Sequence, residues 1–415
     1  MNKTKSFSIS KEVVLDAWKR VKANHGAAGI DEQTIEDYEQ NLRNNLYKLW
    51  NRMSSGSYFP PPVRTVPIPK KAGGFRNLGI PTVEDRIAQM VIKLYVEPHV
   101  EPMFHADSYG YRPGRSAHDA LAVTRKRCWR YNWVLEFDIR GLFDNIPKDL
   151  MLKALGHHIK DKWILLYVER WLTAKIEDGE GNLVTRTKGV PQGGVISPVL
   201  SNLFMHYAYD KWMERTFPNS PMCRYADDGL AHCKTRGEAE EILTALAERC
   251  KECGLELHPE KTRIVYCKDD DRNENNESEY KFTFLGFSFR PRRSKSKYGK
   301  YFVNFLPAVS SEALGAMRKV VRRWKLHCRV DKTILELSRM FSPIIRGWIN
   351  YYSKFYKSEL YSLFKYLNKK LIFWAMRKYK GLKRHRRRAQ GFLAKIAKAK
   401  PGLLPHWKFV PITIE

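Results

Sequence analysis

Two stretches of the chain have the hydrophobic pattern of β-strands, and each carries acidic residues where that pattern stops. Apolar and polar residues alternate in part over residues 131–139, and Asp138 lies near the end of this run. Residues 223–231 form a second run, which Asp227, Asp228 and a glycine interrupt. These residue types are rare inside strands, so the interruption predicts a β-hairpin with both carboxylates at its turn.

Apolar residues recur at helical spacing in the last third of the chain. Residues 311–324, 334–352 and 360–374 predict three amphipathic helices in series, the second of them interrupted near Pro343. Residues 290–300 are strongly basic and are interpreted as a linker before these helices.

The charge of the chain indicates a polyanionic partner. Its 415 residues are 43% hydrophobic and carry a formal net charge of +30, far more positive charge than an enzyme for small molecules needs. Nucleic acid is the first candidate. A membrane surface would attract the same charge, but no apolar run reaches the roughly 18 residues that cross a bilayer. No signal-peptide pattern follows Met1 and the seven cysteines form no regular framework, so a cytoplasmic protein with reduced thiols is expected.

The three aspartates suggest metal chemistry. If the strand lies beside the hairpin, Asp138, Asp227 and Asp228 converge. Such a cluster can hold two Mg²⁺ ions about 3.5–4 Å apart, which activate a 3′-hydroxyl and stabilise the leaving pyrophosphate in nucleotidyl transfer. For the hairpin taken alone, a solvated surface turn is the commoner outcome.

A second candidate hairpin lies within residues 63–78, where two strand-like runs flank a basic turn that contains glycine. Lys70 and Arg76 stand on either side of the glycines and are placed to neutralise a triphosphate. A basic turn of this kind is more often only solvated, so both interpretations stay open at this point.

Several short motifs follow one another along the chain, at residues 24–31, 68–71, 76–81, 108–115, 137–144, 189–194, 225–228, 254–262, 284–287 and 346–352. Their order and spacing resemble those of group II intron reverse transcriptases, also called maturases. The resemblance extends from about residue 17 to about residue 380.

The resemblance implies an α+β fold of the right-hand polymerase type. Fingers and a palm with an antiparallel sheet would precede an α-helical thumb or maturase domain and a basic C-terminal segment. The implied divisions are an N-terminal extension at residues 1–60, reverse transcriptase fingers and palm at 61–300, a helical thumb/maturase (X) domain at 301–376 and a basic DNA- or RNA-binding tail at 377–415.

The implied activity is RNA-directed DNA polymerisation, joined to binding of the group II intron RNA for splicing and for retrohoming by target-primed reverse transcription. Asp138 and Asp227 would coordinate two Mg²⁺ ions, the Ile139 carbonyl would be a further ligand, and Asp228 would complete or tune the site. An RNA template, a DNA primer or target and dNTPs would be the other partners.

The resemblance also implies residues that hold the incoming nucleotide. Lys70 and Arg76 would contact its triphosphate, and Gln192 would touch the nascent base pair. Phe143, by default a core residue, would form a bulky gate beneath the sugar that excludes a ribose 2′-hydroxyl. A preference for deoxynucleotides is therefore expected.

Contacts to the nucleic acid itself are predicted at basic positions and at one glycine. The tail is especially unbalanced, because no acid intervenes between Glu359 and Glu415, and phosphate is the expected counter-charge. Arg112 and Arg115 have the alternative function of supporting the fold. The candidates are Arg64, Arg112, Arg115, Gly286, Arg346, Arg384, Arg386, Arg387 and Arg388.

Alternative functions remain within the same lineage. The C-terminal sequence has no His and Cys cluster like that of the HNH endonuclease domain in many relatives, so an intron-mobility function would need another source of primer. A reverse transcriptase for DNA repair or phage defence, and a splicing cofactor without catalysis, are the competing interpretations. A monomer and a homodimer both stay open.

Overall fold

The structure is a computed structural model that describes residues 6–69, 74–178, 181–272 and 279–413. Its α-helices are α1 (Lys11–Ala23), α2 (Ile35–Gln40), α3 (Leu42–Ser55), α4 (Val83–Val100), α5 (Ala117–Cys128), α6 (Leu142–Asn145), α7 (Lys148–His158), α8 (Lys162–Thr173), α9 (Ser197–Met205), α10 (Lys211–Thr216), α11 (Arg236–Glu252), α12 (Ser311–Arg323), α13 (Ile334–Tyr352), α14 (Tyr361–Lys378) and α15 (Arg386–Ala399). Its strands are β1 (Val63–Pro69), β2 (Phe75–Ile80), β3 (Trp133–Asp138), β4 (Ile176–Glu177), β5 (Leu183–Val184), β6 (Met222–Tyr225), β7 (Asp228–Cys233), β8 (Arg263–Tyr266), β9 (Phe282–Phe284), β10 (Phe287–Lys295) and β11 (Tyr301–Val309). Within the described residues, no helix is both long and apolar enough to cross a membrane.

Strands β1 and β2 form the hairpin predicted for residues 63–78. They pair antiparallel, with Arg64 opposite Ile80 and Ile68 opposite Arg76. The sheet that contains them has the order β2-β1-β4-β5. Lys70, predicted to contact the triphosphate, follows β1 in the sequence and lies outside the described residues.

The strand and the hairpin that carry the aspartates belong to one sheet. Its order is β6-β7-β3-β8, so β3 lies directly beside β7. Strands β6 and β7 pair antiparallel with Tyr225 opposite Asp228, and β3 ends at Asp138. The predicted neighbourhood of strand and hairpin is confirmed.

The chain divides into two compact units. The first unit combines Met1–Ala120 with Leu135–Ile264, and the second combines Leu121–Val134 with Val265–Glu415. Helix α4 is enclosed by the first unit, where consecutive residues from Ile87 to Ile92 are all buried, as expected for a helix with apolar residues on every side.

The second unit contains the three-stranded sheet β11-β10-β9 and the helices α12 to α15. Its apolar core is built by Leu314 of α12, Phe341 of α13 and Trp374 of α14, together with Leu393 of α15 and Trp407. The core of this unit therefore extends across the boundary predicted at residue 377.

Two predictions for this part of the chain are wrong. Helix α13 continues through Pro343, because Phe341, Ile345 and Ile349 bury one face on both sides of the proline and outweigh its missing hydrogen bond. The basic stretch interpreted as a linker belongs to a hairpin of β10 and β11. The sequence of β10 lacks the usual alternation of apolar and polar residues, because Arg292 occupies a buried position, where it pairs with Glu359.

Candidate active site

The turn between β6 and β7 holds the two adjacent carboxylates. Tyr225 and Asp228 pair across it, which leaves Ala226 and Asp227 as a two-residue loop. Ala226 has φ +58°, a left-handed conformation that side chains other than glycine adopt rarely. Asp227 is half-buried and Asp228 is exposed. The strained turn is therefore held in place by its surroundings.

The segment just before Tyr111 supports this turn from one side. The Tyr109 N–H donates to the Arg224 carbonyl at 2.9 Å, and the Arg224 N–H donates to the Asp107 carbonyl at 2.9 Å. A Cβ atom on Gly110 would lie 2.4 Å from the Ala226 nitrogen, so only glycine permits this approach. The backbone of the acidic turn is fixed at close range.

The side chain of Arg224 fixes the turn from within the core. It is 0% exposed, and its guanidinium donates to both Asp210 carboxylate oxygens, at 2.7 and 2.6 Å. It also donates to Asn202 Oδ1 at 3.1 Å, Ser108 Oγ at 2.9 Å and the Ala226 carbonyl at 3.0 Å. All five N–H donors of the guanidinium are thus used. The bond to Ala226 ties this network directly to the residue before Asp227.

Asp138 is buried at the end of β3, with 6% of its surface exposed. Its carboxylate forms an ion pair with the Lys261 ammonium, and its carbonyl accepts from the His258 N–H at 2.8 Å. Ile139 follows in an antiparallel bridge to Leu257. Lys261 belongs to the stretch 254–262 that contributed to the resemblance, but sequence reasoning gave it no function.

Electrostatics show that the three carboxylates lie within each other's influence. The pKa of Asp227 is raised, first by desolvation and also by the charge of Asp138. Desolvation, followed by the charges of Asp227 and Asp138, raises the pKa of Asp228 to about 7. Because the Asp228 side chain is exposed, solvent screening moderates this shift. Lys261 opposes both shifts.

Lys261 is the cation that accompanies this cluster. Its partial burial disfavours the charged form, but the hydrogen bond and charge of Asp138 outweigh that effect and raise the pKa of Lys261. A positive group is therefore already held against Asp138. Clustered carboxylates repel one another, and a bound cation reduces this repulsion. A divalent metal ion would reduce it further, because carboxylate oxygens are its usual ligands.

The geometry sets a limit on the metal prediction. Over residues 6–69, 74–178, 181–272 and 279–413, no three His, Cys, Asp or Glu side chains are spaced to hold a metal ion. The donor chemistry fits Mg²⁺, since carboxylate and backbone oxygens are its usual protein ligands. The two-ion site at Asp138, Ile139, Asp227 and Asp228 stays a prediction.

Two of the residues predicted to hold the nucleotide lie on segments that contact each other. Gln192 donates through Nε2 to Asp144 Oδ2 at 2.8 Å, and Asp144 directly follows Phe143. The Val190 N–H donates to the Phe143 carbonyl at 2.6 Å. Phe143 and Gln192 are therefore joined through backbone and side-chain bonds.

Tyr111 links this pair to the acidic turn, and sequence reasoning missed it. Its ring meets that of Phe143 edge-on, with centroids 6.4 Å apart at 78°. Burial and then the charge of Asp227 raise the pKa of Tyr111, whereas the positive charge of Arg76 lowers it. Arg76 is itself exposed on β2. Tyr111 thus lies beside Phe143, the predicted gate, and within the electrostatic influence of Arg76 and Asp227.

A buried carboxylate supports the loop that carries Gln192. Asp85 is 0% exposed and accepts from the Tyr58 hydroxyl and Trp171 Nε1, both at 2.7 Å. It also accepts from Gln89 Nε2 at 2.9 Å, and Gln89 Oε1 in turn accepts from the Val195 N–H at 2.7 Å. This chain of bonds orients the loop.

The predicted nucleic-acid contacts differ in their surroundings. Arg112 is 9% exposed and donates to Glu101 Oε1 at 2.9 Å and to the His105 carbonyl at 2.7 Å, so its guanidinium supports the fold. Gly286 accepts from the Ser310 N–H at 3.0 Å. The arginines with exposed side chains are Arg64, Arg115, Arg346, Arg384, Arg386, Arg387 and Arg388.

Comparison with known protein families assigns both parts of the chain. Residues 68–289 match the family Reverse transcriptase (RNA-dependent DNA polymerase), and residues 314–392 match the Group II intron, maturase-specific domain. The first match alone covers more than half of the 415 residues.

Several proteins are similar to the chain. Protein YkfC of Escherichia coli (strain K12) is 32% identical over 314 residues, which cover 66% of this chain and 77% of that protein. The group II intron-encoded protein LtrA of Lactococcus lactis subsp. cremoris is 31% identical over 203 residues, covering 48% of this chain and 33% of LtrA. The chain thus spans about a third of the length of LtrA. A solved structure of telomerase from Candida albicans covers 91% of this chain and 68% of its own, with 11% identity and a TM-score of 0.47.

These matches confirm the predicted family and enzyme class, and the mixed helix and strand structure with its antiparallel hairpin agrees with the predicted α+β fold. The carboxylates of Asp138, Asp227 and Asp228 lie inside the matched polymerase region. The chain belongs to the reverse transcriptases of the group II intron type, RNA-directed DNA polymerases that carry a maturase-specific domain.

Proposed function

We propose that DNA synthesis on an RNA template takes place at the β6–β7 turn, with Asp138, Asp227 and Asp228 as its catalytic carboxylates. The observation that carries this proposal is the gathering of the three groups beside the Asp138–Lys261 ion pair, where desolvation, and after it the charge of neighbouring carboxylates, raises the pKa of Asp227 and Asp228. So much negative charge in one place is unfavourable unless a cation binds there.

Asp138 and Asp227 would hold Mg²⁺ with the Ile139 carbonyl, and Asp228 would complete or tune the site. When bound, two such ions supply activation of the primer 3′-hydroxyl and stabilisation of the pyrophosphate that leaves. The protein's own contribution is to keep the carboxylates in place through Arg224 and its five hydrogen bonds.

Phe143 is proposed to select the sugar of the incoming dNTP. Its ring is half-buried against Tyr111, and its backbone is tied to the loop that carries Gln192. In this position the ring would block the space that a ribose 2′-hydroxyl needs. Arg76 would contact the triphosphate, Lys70 would assist it, and Gln192 would touch the nascent base pair.

The second unit is proposed to bind the group II intron RNA and to assist splicing and retrohoming. The maturase-specific match covers residues 314–392, and Arg346, Arg386, Arg387 and Arg388 expose their side chains within it. Exposed arginines suit RNA phosphates. We expect the protein to act in the bacterial cytoplasm as a ribonucleoprotein.

Primer extension tests the polymerase proposal. The reaction contains a generic RNA template, a DNA primer, dNTPs and Mg²⁺, and compares the parent with Asp227→Asn and with Asp331→Asn, a matched substitution of an exposed residue in the second unit. We expect the parent and Asp331→Asn to make DNA, and Asp227→Asn to be slower by about a hundredfold or more, because charge stabilisation dominates this chemistry. Extension by Asp227→Asn at the parental rate would overturn the site assignment. Tight RNA binding by a parent that makes no DNA would favour a splicing cofactor instead.

A further inference from the structure

The hairpin of β10 and β11 has a buried base and an exposed end. Its strands pair from Phe287 opposite Val309 to Lys295 opposite Tyr301. At the base, Phe287 and Phe289 are both 0% exposed. We call residues 293–301 the hairpin tip. The paired strands connect this tip to the buried base.

Within the part of the chain that the structure describes, the positive charges of the tip differ from those just before it on β10. Arg290 and Arg292, which precede the tip, both form ion pairs with Glu359. The tip contains no acidic residue, and among the residues that the structure describes none of its cations has an acidic partner. These cations are Arg293, Lys295, Lys297 and Lys300. An anion from outside the protein would therefore be attracted here.

Two tyrosine rings at the tip are exposed beside these cations. Tyr298 is 85% exposed and Tyr301 is 54% exposed. The Arg293 guanidinium lies 4.0 Å from the centre of the Tyr301 ring, and Lys297 Nζ lies 4.9 Å from that of Tyr298. Exposed aromatic rings interleaved with basic groups are the combination that binds single-stranded nucleic acid, since bases stack on the rings while phosphates meet the cations.

Hydrogen bonds close the turn at the tip. The Ser296 N–H donates to the Lys300 carbonyl at 2.8 Å, and Ser296 Oγ accepts from the Lys300 N–H at 3.1 Å. Gly299 has φ +84°, which suits glycine in this turn. Tyr298 thus lies within a hydrogen-bonded turn, and Tyr301 directly follows it. A turn closed in this way reduces the conformational entropy that its backbone would lose on binding.

We propose that the hairpin tip binds an unpaired RNA segment, with bases stacked on Tyr298 and Tyr301 and phosphates contacted by Lys295 and Lys297. A base-paired duplex is the poorer ligand, because its bases already stack on one another and offer no free face. The inference rests on the proposed function only in that RNA is a ligand of the enzyme, and it is independent of the catalytic carboxylates.

Fluorescence anisotropy with a labelled, unstructured RNA oligonucleotide and a blunt RNA duplex tests the proposal. The main variant is Tyr298→Ala/Tyr301→Ala, and its matched control is Tyr298→Phe/Tyr301→Phe, which keeps both rings. The alanine variant should bind the single strand about tenfold more weakly, as expected for lost stacking on a base. The phenylalanine variant should bind within about twofold of the parent, because phenylalanine also stacks. Duplex binding should not change.

Charge is tested separately with Lys295→Gln/Lys297→Gln against Lys234→Gln/Lys251→Gln, a control that removes two exposed charges elsewhere. The tip variant alone should reduce the salt dependence of single-strand binding, by about 0.7 in log–log slope for each lost contact. Unchanged single-strand affinity in the tyrosine-to-alanine variant, or equal losses on duplex and single strand, would overturn the proposal. Repeating the binding in the Asp227→Asn background separates this result from the polymerase test, because binding should persist there.

Discussion

Charged side chains are buried mainly in the first unit, where Arg224 and Asp210 are both fully enclosed, whereas the second unit encloses mainly neutral polar groups such as Asn368 and His406. In the second unit, Asn368 Oδ1 accepts from Trp407 Nε1 at 3.1 Å and is 2.8 Å from His406 Nε2. Both sets of buried polar groups form hydrogen bonds. In the second unit, Arg292 is also buried, but its partner Glu359 is partly exposed, whereas Arg224 and Asp210 in the first unit are both enclosed.

The burial of charge in the first unit is explained by what the ion pair holds in place. Burial of an ion pair brings little net stability, because desolvation offsets the attraction between the charges. A guanidinium with five fixed donors is nevertheless an effective way to hold several backbone segments at one point, as Arg224 does beside the acidic turn. The second unit supports a basic surface, for which an apolar core of helices is sufficient.

The largest effect is expected when the buried ion pair is broken. Asp210→Ala leaves the Arg224 charge enclosed without a counter-ion and should lower the free energy of opening of β6 and β7 by about 3–5 kcal/mol. Native-state hydrogen exchange on the amides of Leu230 and Ala231 measures this. The control is Asp16→Ala, which removes an exposed ion pair with Arg20 and should change stability by less than about 1 kcal/mol.

Removal of both charges sharpens the comparison. Arg224→Met with Asp210→Leu should recover much of the stability lost by Asp210→Ala, because apolar groups fill the same space without desolvation. Primer extension should stay impaired, because nothing then holds the Ala226 carbonyl. If activity returned together with stability, the pair would only stabilise the fold and would not position the turn.

A somewhat smaller effect is expected in the core of the second unit. Leu393 is 0% exposed on α15, so Leu393→Ala should destabilise this unit by about 2–5 kcal/mol. Hydrogen exchange in α14 and α15 measures the loss. The exposed neighbour Lys395→Ala is the control and should have little effect. Normal protection of α14 in Leu393→Ala would show that the C-terminal segment does not contribute to this core.

The sequence predicts the parts of the site that follow from local pattern. The alternation in residues 131–139 and the break at Asp227 and Asp228 predict β3 and the hairpin, and the structure places them side by side. Apolar alternation and turn residues are local signals, because they depend only on residues that are close together in the sequence. A single sequence is enough to recognise them.

The support of the site depends on distant contacts that no local pattern records. Arg224 has the position of an ordinary strand residue, yet its partners Asp210, Asn202 and Ser108 come from three other segments. Tyr111 is one residue in a turn-like stretch until the fold brings it to Phe143. The β10–β11 hairpin escaped prediction because Arg292 occupies an inward position, where Glu359, far along the chain, compensates its charge.

A pH dependence of stability, intermediate in size, is expected from the buried neutral side chain of His406 in the second unit. His406 is 0% exposed, and burial lowers its pKa to about 3. In the unfolded chain, His406 therefore binds a proton below about pH 6.5, whereas in the folded chain it stays neutral until the pH is much lower. Stability conferred by neutral His406 is complete above that pH and declines as pH falls toward 3, by at most about 1.4 kcal/mol per pH unit.

Hydrogen exchange in α14 between pH 7 and pH 5, corrected for intrinsic exchange, measures this decline. A His406→Gln variant should show a flatter dependence, because glutamine does not titrate but can still reach Asn368. The same slope in parent and variant would assign the acid sensitivity to another group.

The smallest effect on stability, with a distinct effect on RNA binding, is expected from an exposed residue of α15. Arg387 is exposed, so Arg387→Gln should change the stability of the second unit by no more than about 0.5 kcal/mol. If its guanidinium contacts an RNA phosphate, the log–log salt dependence of RNA binding should fall by about 0.7–0.9. Leu393→Ala on the same helix should give the reverse result, with lost stability and an unchanged salt slope in the fraction that remains folded. An unchanged slope in Arg387→Gln would mean that this arginine is merely solvated, and the two variants together separate the face of α15 that builds the core from the face that binds RNA.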